Sequence, residues 1–148
     1  MIVYKTYCKN IPNKLYDADD SFCNKPAGGL WGCRGDEWKH WCLEEDFKLS
    51  NLKKCFKWRL KRGSRVYRIK TEKDFLNLIN LYGNTKMSTI DYMEMKKDYD
   101  AIEVVGNIVY KLRYGCKDTG HSLIDIIGLN AWDIPSICVM NTSRVKRL

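Results

Sequence analysis

Apolar and polar residues alternate in several short segments of the chain, and elsewhere apolar residues recur at the spacing of a helix. The helical spacing is clearest in residues 71–82, where the apolar residues share one face. The threonine that opens this segment is a suitable cap, because its hydroxyl can accept a hydrogen bond from a first-turn amide. Two further helices are predicted over residues 35–47 and 90–99, the second capped by Ser88 or Thr89.

Strands are predicted where apolar residues alternate with polar ones or form short runs. These segments are residues 2–7, the compact run 101–105 and residues 136–140. Glu103 lies inside the second run, where a buried carboxylate needs a partner. Strands and helices are interspersed without a regular strand–helix–strand repeat. We therefore predict an α+β fold: one compact domain over 1–148 with a mixed, mainly antiparallel sheet and about three helices.

One segment carries the whole excess of positive charge. Residues 53–70, KKCFKWRLKRGSRVYRIK, contain nine lysines and arginines and no acidic residue. Without these nine, 17 of the 26 basic residues remain against 18 acidic ones, whereas the full chain has a formal charge of +8. The surplus is therefore a local field and not a diffuse solubility charge.

Within this segment, apolar and basic residues alternate on both sides of Gly63, which predicts an antiparallel hairpin turning there. Its cations would bind a nucleotide pyrophosphate, a nucleic-acid backbone or an acidic protein. The alternative is a solvated hairpin whose lysines discourage edge pairing. Residues 142–148 are expected to form a solvated basic tail. The predicted anion-binding residues are Lys57, Arg59, Lys61, Arg62, Arg65 and Arg68.

The segment 25–33, KPAGGLWGC, combines a pair of glycines with an indole ring. Adjacent glycines permit a sharp turn or the close approach of a flat ligand, and Trp31 adds a stacking surface. Trp38 and Trp41 follow within ten residues. These indoles are either part of a nucleobase or nicotinamide pocket or ordinary core anchors. We expect the indoles and the glycine bend to form one wall of a cavity, with the basic hairpin beside its mouth.

Cysteine and histidine patterns offer little support for other chemistry. The 7 cysteines form no C-x-x-C pair and the 2 histidines no ligand repeat, so no metal is expected; a meeting of Cys33, His40 and Cys42 in space is the alternative. A histidine, His40 or His121, could activate Cys33 or Cys116 as a nucleophile, but no spacing in the sequence favours any of these pairs. Phosphate-loop, dinucleotide, nucleophile-elbow and zinc-protease motifs are absent from the sequence.

Taken in order, several short segments of the chain resemble the ADP-ribosyltransferase fold. They are the first strand IVYKTY, the strand-to-helix segment GGLWGCRGDEW, the strand VYRIK with its following helix, DYDAIEVV, and the closing strand SICVMNTSRVK. In that family a strand resembling YDAIEV precedes one that ends in V-x-N and a hydrophobic–basic pair. The residues that fit this closing pattern are Val139, Asn141, Val145 and Lys146.

The resemblance implies an enzyme that binds NAD or a related nucleotide and modifies a macromolecular target. The glutamate expected at the start of the closing strand is replaced by Ser136, and the nearest acid is Asp133. That acid would bind a ribose hydroxyl and stabilise the oxocarbenium-like centre as nicotinamide leaves; a turn role before Pro135 is the alternative. The implied catalytic residues are Asp133 and Ser136, and the implied cofactor-binding residues are Tyr4, Lys5, Gly29, Trp31, Gly32, Cys33 (where Ser or Thr is common) and Trp38.

A different class of function is also compatible with the sequence. The chain would then be a basic binding or inhibitor protein without catalysis, of phage or mobile-element type, that engages nucleic acid or a nucleic-acid-binding protein. No apolar run is long enough for a membrane-spanning helix, and the first residues lack a signal-peptide pattern. We therefore expect no membrane partner and a cytoplasmic protein, in the host cytoplasm if a phage encodes it, with reduced cysteines.

Overall fold

Helices and strands are interspersed along the chain, as predicted. The computed structural model describes residues 1–22, 24–84, 86–113, 127–129 and 131–148. None of the helices in these ranges is both long and apolar enough to cross a lipid bilayer. The helices are α1 (Glu37–Glu44), α2 (Glu72–Tyr82), α3 (Tyr92–Asp98) and α4 (Ile108–Lys111), with 3-10 turns at Leu49–Leu52 and Thr142–Arg144. The strands are β1 (Tyr4–Cys8), β2 (Ala18–Phe22), β3 (Lys25–Gly28), β4 (Leu30–Gly32), β5 (Lys54–Leu60), β6 (Val66–Ile69), β7 (Gly83–Asn84), β8 (Thr89–Ile90), β9 (Ala101–Val104), β10 (Ser136–Val139) and β11 (Val145–Arg147).

Two sheets form the centre of the fold. β1, β5 and β11 make a three-stranded antiparallel sheet with β5 in the middle. β4, β10, β9 and β6, in that order, make a four-stranded sheet in which only β6 and β9 are parallel. A bridge between Lys5 and Cys33 joins the two sheets through backbone hydrogen bonds of 2.8 and 3.0 Å. The predicted α+β class with a mixed, mostly antiparallel sheet is therefore confirmed.

The four-stranded sheet separates two apolar clusters. Successive residues of a strand point to opposite faces, so Ile102 and Val104 of β9 belong to one cluster and Ala101 to the other. The larger cluster lies beneath α2 and α3, whose buried residues belong to it. The smaller cluster lies between the two sheets, where Ile137 and Val139 pack with the buried residues Tyr4, Phe56 and Trp58 of β1 and β5.

Helix α2 begins where the sequence predicts. The hydroxyl of Thr71 accepts a hydrogen bond from the amide of Asp74 at 3.2 Å, and the Asp74 carboxylate accepts one from the amide of Thr71 at 2.9 Å. This reciprocal capping satisfies two amides that the first turn leaves free. The apolar face predicted for this helix is buried, and it consists of Phe75, Leu78, Ile79 and Tyr82.

Helix α3 begins later than the sequence predicts. Its N-cap is Asp91, whose carboxylate accepts a hydrogen bond from the amide of Glu94 at 2.9 Å. Ser88 and Thr89 do not cap it, because Thr89 belongs to β8 and pairs with Asn84 of β7. Pairing of β8 with the nearby β7 therefore accompanies a helix start two residues beyond the second predicted cap.

The segment 53–70 does not form the predicted hairpin. β5 lies at the centre of the three-stranded sheet, whereas β6 pairs with β9 at an edge of the four-stranded sheet. Gly63, with a φ of +81°, lies in the turn between them, where the chain passes from one sheet to the other. Period-two alternation identifies a strand and its apolar face but not the strand that lies beside it. The prediction was therefore right about two strands and wrong about their pairing.

The residues 142–148 are not a free tail. They include β11, which pairs with β5, and Val145 packs against the smaller apolar cluster. The amide of Leu148 also donates to the carbonyl of Lys57 at 3.0 Å. The side chains of Lys146 and Arg147 are exposed, so the predicted solvation applies to these side chains and not to the backbone.

Candidate functional site

A cavity of about 460 Å³ lies between β1, β4, α1 and the segment that leads into β10. Seven of the nine residues predicted for cofactor binding or catalysis line it, although they come from four separate parts of the chain. Tyr4 and Cys33 instead line a second cavity of about 340 Å³, and Ser136 lines both. The seven predicted residues at the first cavity are Lys5, Gly29, Trp31, Gly32, Trp38, Asp133 and Ser136.

Close packing of the chain requires the glycines at this cavity. Gly28 and Gly29 have φ angles of +75° and +71°, which allow the sharp turn between β3 and β4. A Cβ at Gly29 would lie 2.7 Å from the carbonyl oxygen of Val139, and one at Gly32 would lie 2.7 Å from the ring of Trp58. Because these glycines have no side chain, β4 can pack closely against its neighbours, and this packing leaves Trp31 at the cavity.

The aromatic wall of the cavity combines Trp31 with a second indole that the sequence analysis missed. The rings of Trp31 and Trp132 lie 5.0 Å apart at an angle of 60°. Their N–H groups already donate to the carbonyls of Gly28 at 3.1 Å and Asn24 at 3.0 Å. Trp132 is buried and Trp31 is half-buried, so Trp31 is the indole of this pair with more accessible surface for a ligand.

Trp38 belongs to a different aromatic group. It stacks on Trp41 with ring centres 5.1 Å apart, and Phe47 lies edge-on to both rings. Trp38 and Phe47 line the cavity, whereas Trp41 does not. The three indoles singled out in the sequence therefore do not form one stack. Because Trp132 is adjacent to Asp133, a search around the candidate acid would have found the missing ring.

Three lysines supply the positive charge at the cavity, and only Lys5 had been predicted. Lys5 donates to the carboxylate of Asp36 at 2.8 Å, and the hydroxyl of Tyr7 donates to the same carboxylate. These bonds hold the pKa of Asp36 down to about 2, so it stays ionised and offsets Lys5. Lys25 lies 5.8 Å from the ring centre of Trp31, and Lys48 lines the same cavity. Within the described part of the chain, neither of these lysines forms a salt bridge.

The two candidate catalytic residues also line the cavity. Asp133 pairs with Arg113 at 3.3 Å, and both side chains are about one-third exposed. Ser136 donates its hydroxyl to the carbonyl of Ile134 at 3.1 Å. The cavity thus offers an aromatic surface, several cations and one carboxylate, which are the groups that would bind a flat ring, phosphates and a ribose hydroxyl.

The second cavity contains a buried acid with three partners. The carboxylate of Glu103 accepts hydrogen bonds from Tyr4 at 3.1 Å, Arg34 at 2.7 Å and Arg68 at 2.8 Å. The partners that the sequence analysis requires for a buried Glu103 are therefore side chains from three distant segments.

Cys33 also lines the second cavity. Burial raises the pKa of the Cys33 thiol to about 11, so this cysteine is protonated at neutral pH and unsuited to nucleophilic attack.

The six predicted anion-binding residues do not form a single cationic ribbon at the mouth of the first cavity. None of the six predicted anion-binding residues lines either cavity. Arg68 is paired with Glu103, and Arg65 lies 3.6 Å from the buried carboxylate of Asp100. Lys57, Arg59, Lys61 and Arg62 are on β5 or in the turn that follows it. Since β5 and β6 separate into different sheets, the segment cannot present one continuous cationic edge.

The described residues show no group of three or more His, Cys, Asp and Glu side chains arranged to hold a metal ion. His40 is exposed on α1, whereas Cys33 and Cys42 are buried. Cys116 and His121 lie outside the described residues. Comparisons with protein-family models, curated proteins and solved structures find no match to this chain.

Proposed function

We propose that the first cavity binds NAD or a related nucleotide and that the domain transfers ADP-ribose to a macromolecular target. The observation that carries this proposal is the position of Lys25 over the ring of Trp31. One wall thereby offers a stacking surface and a cation together. The cavity volume of about 460 Å³ is within the range typical of small-molecule sites.

In this proposal, a nucleotide ring stacks on Trp31 while the phosphates lie near Lys25, Lys48 and Lys5. Stacking on an indole contributes about 1 to 3 kcal/mol per base. Asp133 would accept a hydrogen bond from a ribose hydroxyl, and its charge would stabilise the positive charge that develops on the ribose. Nicotinamide would leave with the electron pair of the glycosidic bond. A nucleophile of the target would then form the new bond and release its proton to solvent.

Binding and transfer are tested separately. Titration with NAD, followed by tryptophan fluorescence and calorimetry, should give saturable binding that Trp31→Ala weakens about 5- to 150-fold through loss of stacking. Tyr16→Ala is the control, because this exposed tyrosine lies outside both cavities, and it should leave the affinity unchanged. Absence of NAD binding to the wild-type protein would refute the proposal.

Transfer is followed as nicotinamide release. Asp133→Asn should leave NAD affinity within about threefold and reduce release at least about 100-fold, since it removes the charge that stabilises the reacting ribose. The exposed Asp19 gives a matched control, Asp19→Asn, with unchanged release. Binding without release in the wild-type protein would retain the nucleotide site and reject the transferase.

A further inference from the structure

The outer face of the three-stranded sheet carries four cations in register. Lys57 faces Lys5 across the β1–β5 pair, and Arg59 faces Lys146 across the β5–β11 pair. Residues directly opposite in an antiparallel pair project from the same side of the sheet. The opposite side carries the buried residues of the smaller cluster. Lys61 directly follows β5 and continues its alternation. The cationic face is defined here as Lys57, Arg59, Lys61 and Lys146, and it leaves out Lys5 because Lys5 pairs with Asp36.

The cationic face has no carboxylate partner within the described ranges of the chain. Lys57, Lys61 and Lys146 are exposed, Arg59 is half-buried, and none of the four forms a salt bridge there. Like charges placed opposite one another destabilise a sheet. Arg59 and Lys146 therefore form a repulsive pair that an anion from outside the chain would relieve, whereas Lys5, opposite Lys57, is already offset by Asp36.

We propose that the cationic face binds the phosphate backbone of a nucleic acid. Protein–protein interfaces are more apolar at their centre, whereas nucleic-acid interfaces are more polar and much more positive. The ladder positions on this face hold no aliphatic side chain: beyond the cations they carry only Tyr7 and Cys55, which face each other. Charge complementarity without an apolar centre favours nucleic acid over an acidic protein.

The cationic face adjoins the first cavity through a shared residue. Lys5 is the ladder partner of Lys57 and also lines that cavity. A nucleic acid held by the face would thus pass beside the cavity mouth. The inference does not rest on nucleotide binding in the cavity, because its four cations line neither cavity.

Salt dependence is the first test. Fluorescence anisotropy with a short labelled DNA duplex, and with an RNA strand of equal length, measures affinity at a series of salt concentrations. Four phosphate contacts predict a slope of log affinity against log salt of about −3.6 on duplex DNA, or about 150-fold weaker binding for a fourfold rise in salt. A slope near zero, or no binding at low salt to either nucleic acid, overturns the proposal.

Two triple variants locate the binding surface. The variant K57E/R59E/K146E reverses the cationic face, and K73E/K86E/K111E reverses three exposed lysines elsewhere, so both lower the formal charge of +8 by six. We expect the first to lose at least about 100-fold in affinity and the second less than about fivefold. Equal losses would mean attraction by net charge alone and overturn the proposal. The neutral variant K57Q/R59Q/K146Q keeps the test valid if the reversed sheet fails to fold, and it should also bind weakly.

Competition and nucleotide binding complete the design. Polyglutamate that displaces the nucleic acid at equal concentration of charge would reject the nucleic-acid partner in favour of an acidic protein; failure to displace it supports the proposal. NAD affinity measured in K57E/R59E/K146E should equal that of the wild-type protein. If NAD binds neither protein while nucleic acid binds only the wild type, the cavity proposal fails and the cationic-face proposal stands. If NAD binds both proteins while nucleic acid binds neither, only the cationic-face proposal is rejected.

Discussion

The two halves of the basic segment 53–70 differ in what their cations contact. On β5, Lys57 and Arg59 have no carboxylate partner within the described residues and face other cations across the ladder. On the β6 side, Arg65 and Arg68 approach the buried acids Asp100 and Glu103. A run of charge that looks uniform in the sequence therefore remains a surface field on β5, whereas Arg65 and Arg68 on the β6 side pair with buried acids.

The parallel pairing of β6 with β9 produces this difference. Arg68 is the ladder partner of Glu103, and Arg65 donates its backbone amide to the carboxylate of Asp100 at 2.8 Å. Each acid receives a second arginine from elsewhere: Arg34 at Glu103, and Arg144 at Asp100 at 3.4 Å. A buried carboxylate needs such partners, so these arginines stabilise the fold by neutralising Glu103 and Asp100.

The largest effect is expected from removing the arginines around Glu103. R34M/R68M leaves this buried carboxylate without a cation and should lower the free energy of unfolding by about 3 to 5 kcal/mol. The matched variant K57M/R59M, which removes two cations from β5, should change it by less than about 1 kcal/mol. Urea unfolding measures both values. Equal losses from the two variants would show that the halves do not differ energetically.

A smaller effect with a defined pH dependence is expected at Asp100. Burial alone would raise its pKa, but hydrogen bonds from the Arg65 amide, Asn141 and the Arg65 side chain, with the charge of Arg144, hold it below the ordinary value. A lowered pKa in the folded state stabilises the protein above the unfolded pKa of about 4, and this contribution is lost as the pH falls through the folded value.

Asp100→Asn should therefore cost about 2 kcal/mol at neutral pH, and the difference from the wild type should narrow as the pH falls below about 4. Thermal unfolding over a pH series measures this difference. Asp19→Asn, at an exposed position, is the control for removing a carboxylate and is measured over the same series. A difference that stays constant across the series would contradict the ion-pair role of Asp100.

The smallest effect is expected on the β5 side and has the opposite sign. Lys146→Gln removes the repulsion between Lys146 and Arg59, so it should raise the free energy of unfolding by about 0.3 kcal/mol at low salt. The gain should shrink as salt screens the charges. Lys73→Gln, on the exposed face of α2, should change stability less. Destabilisation by Lys146→Gln would mean that the Lys146 side chain makes a stabilising contact within the chain and would contradict the repulsion.

Features that depend on neighbouring residues could be predicted from the sequence. The capped helix α2 followed from residues 71–82 alone, because both capping and the apolar face involve contacts within four residues. The glycine turn and Trp31 were likewise visible as one short segment. The structure places both at the first cavity. Trp132 and Lys48, which also line this cavity, were not predicted, because they come from distant segments of the chain.

The sequence by itself determined the alternation along β5 and β6, the cap and apolar face of its strongest helix, and the amount of charge in residues 53–70. Only the tertiary structure decided which of those charges remain at the surface. The physical reason is that a strand's alternation is set by its own backbone, whereas its neighbours are chosen by packing across the whole chain. Arg34 and Arg68 meet at Glu103 from segments 69 and 35 residues away, and no local pattern encodes that meeting.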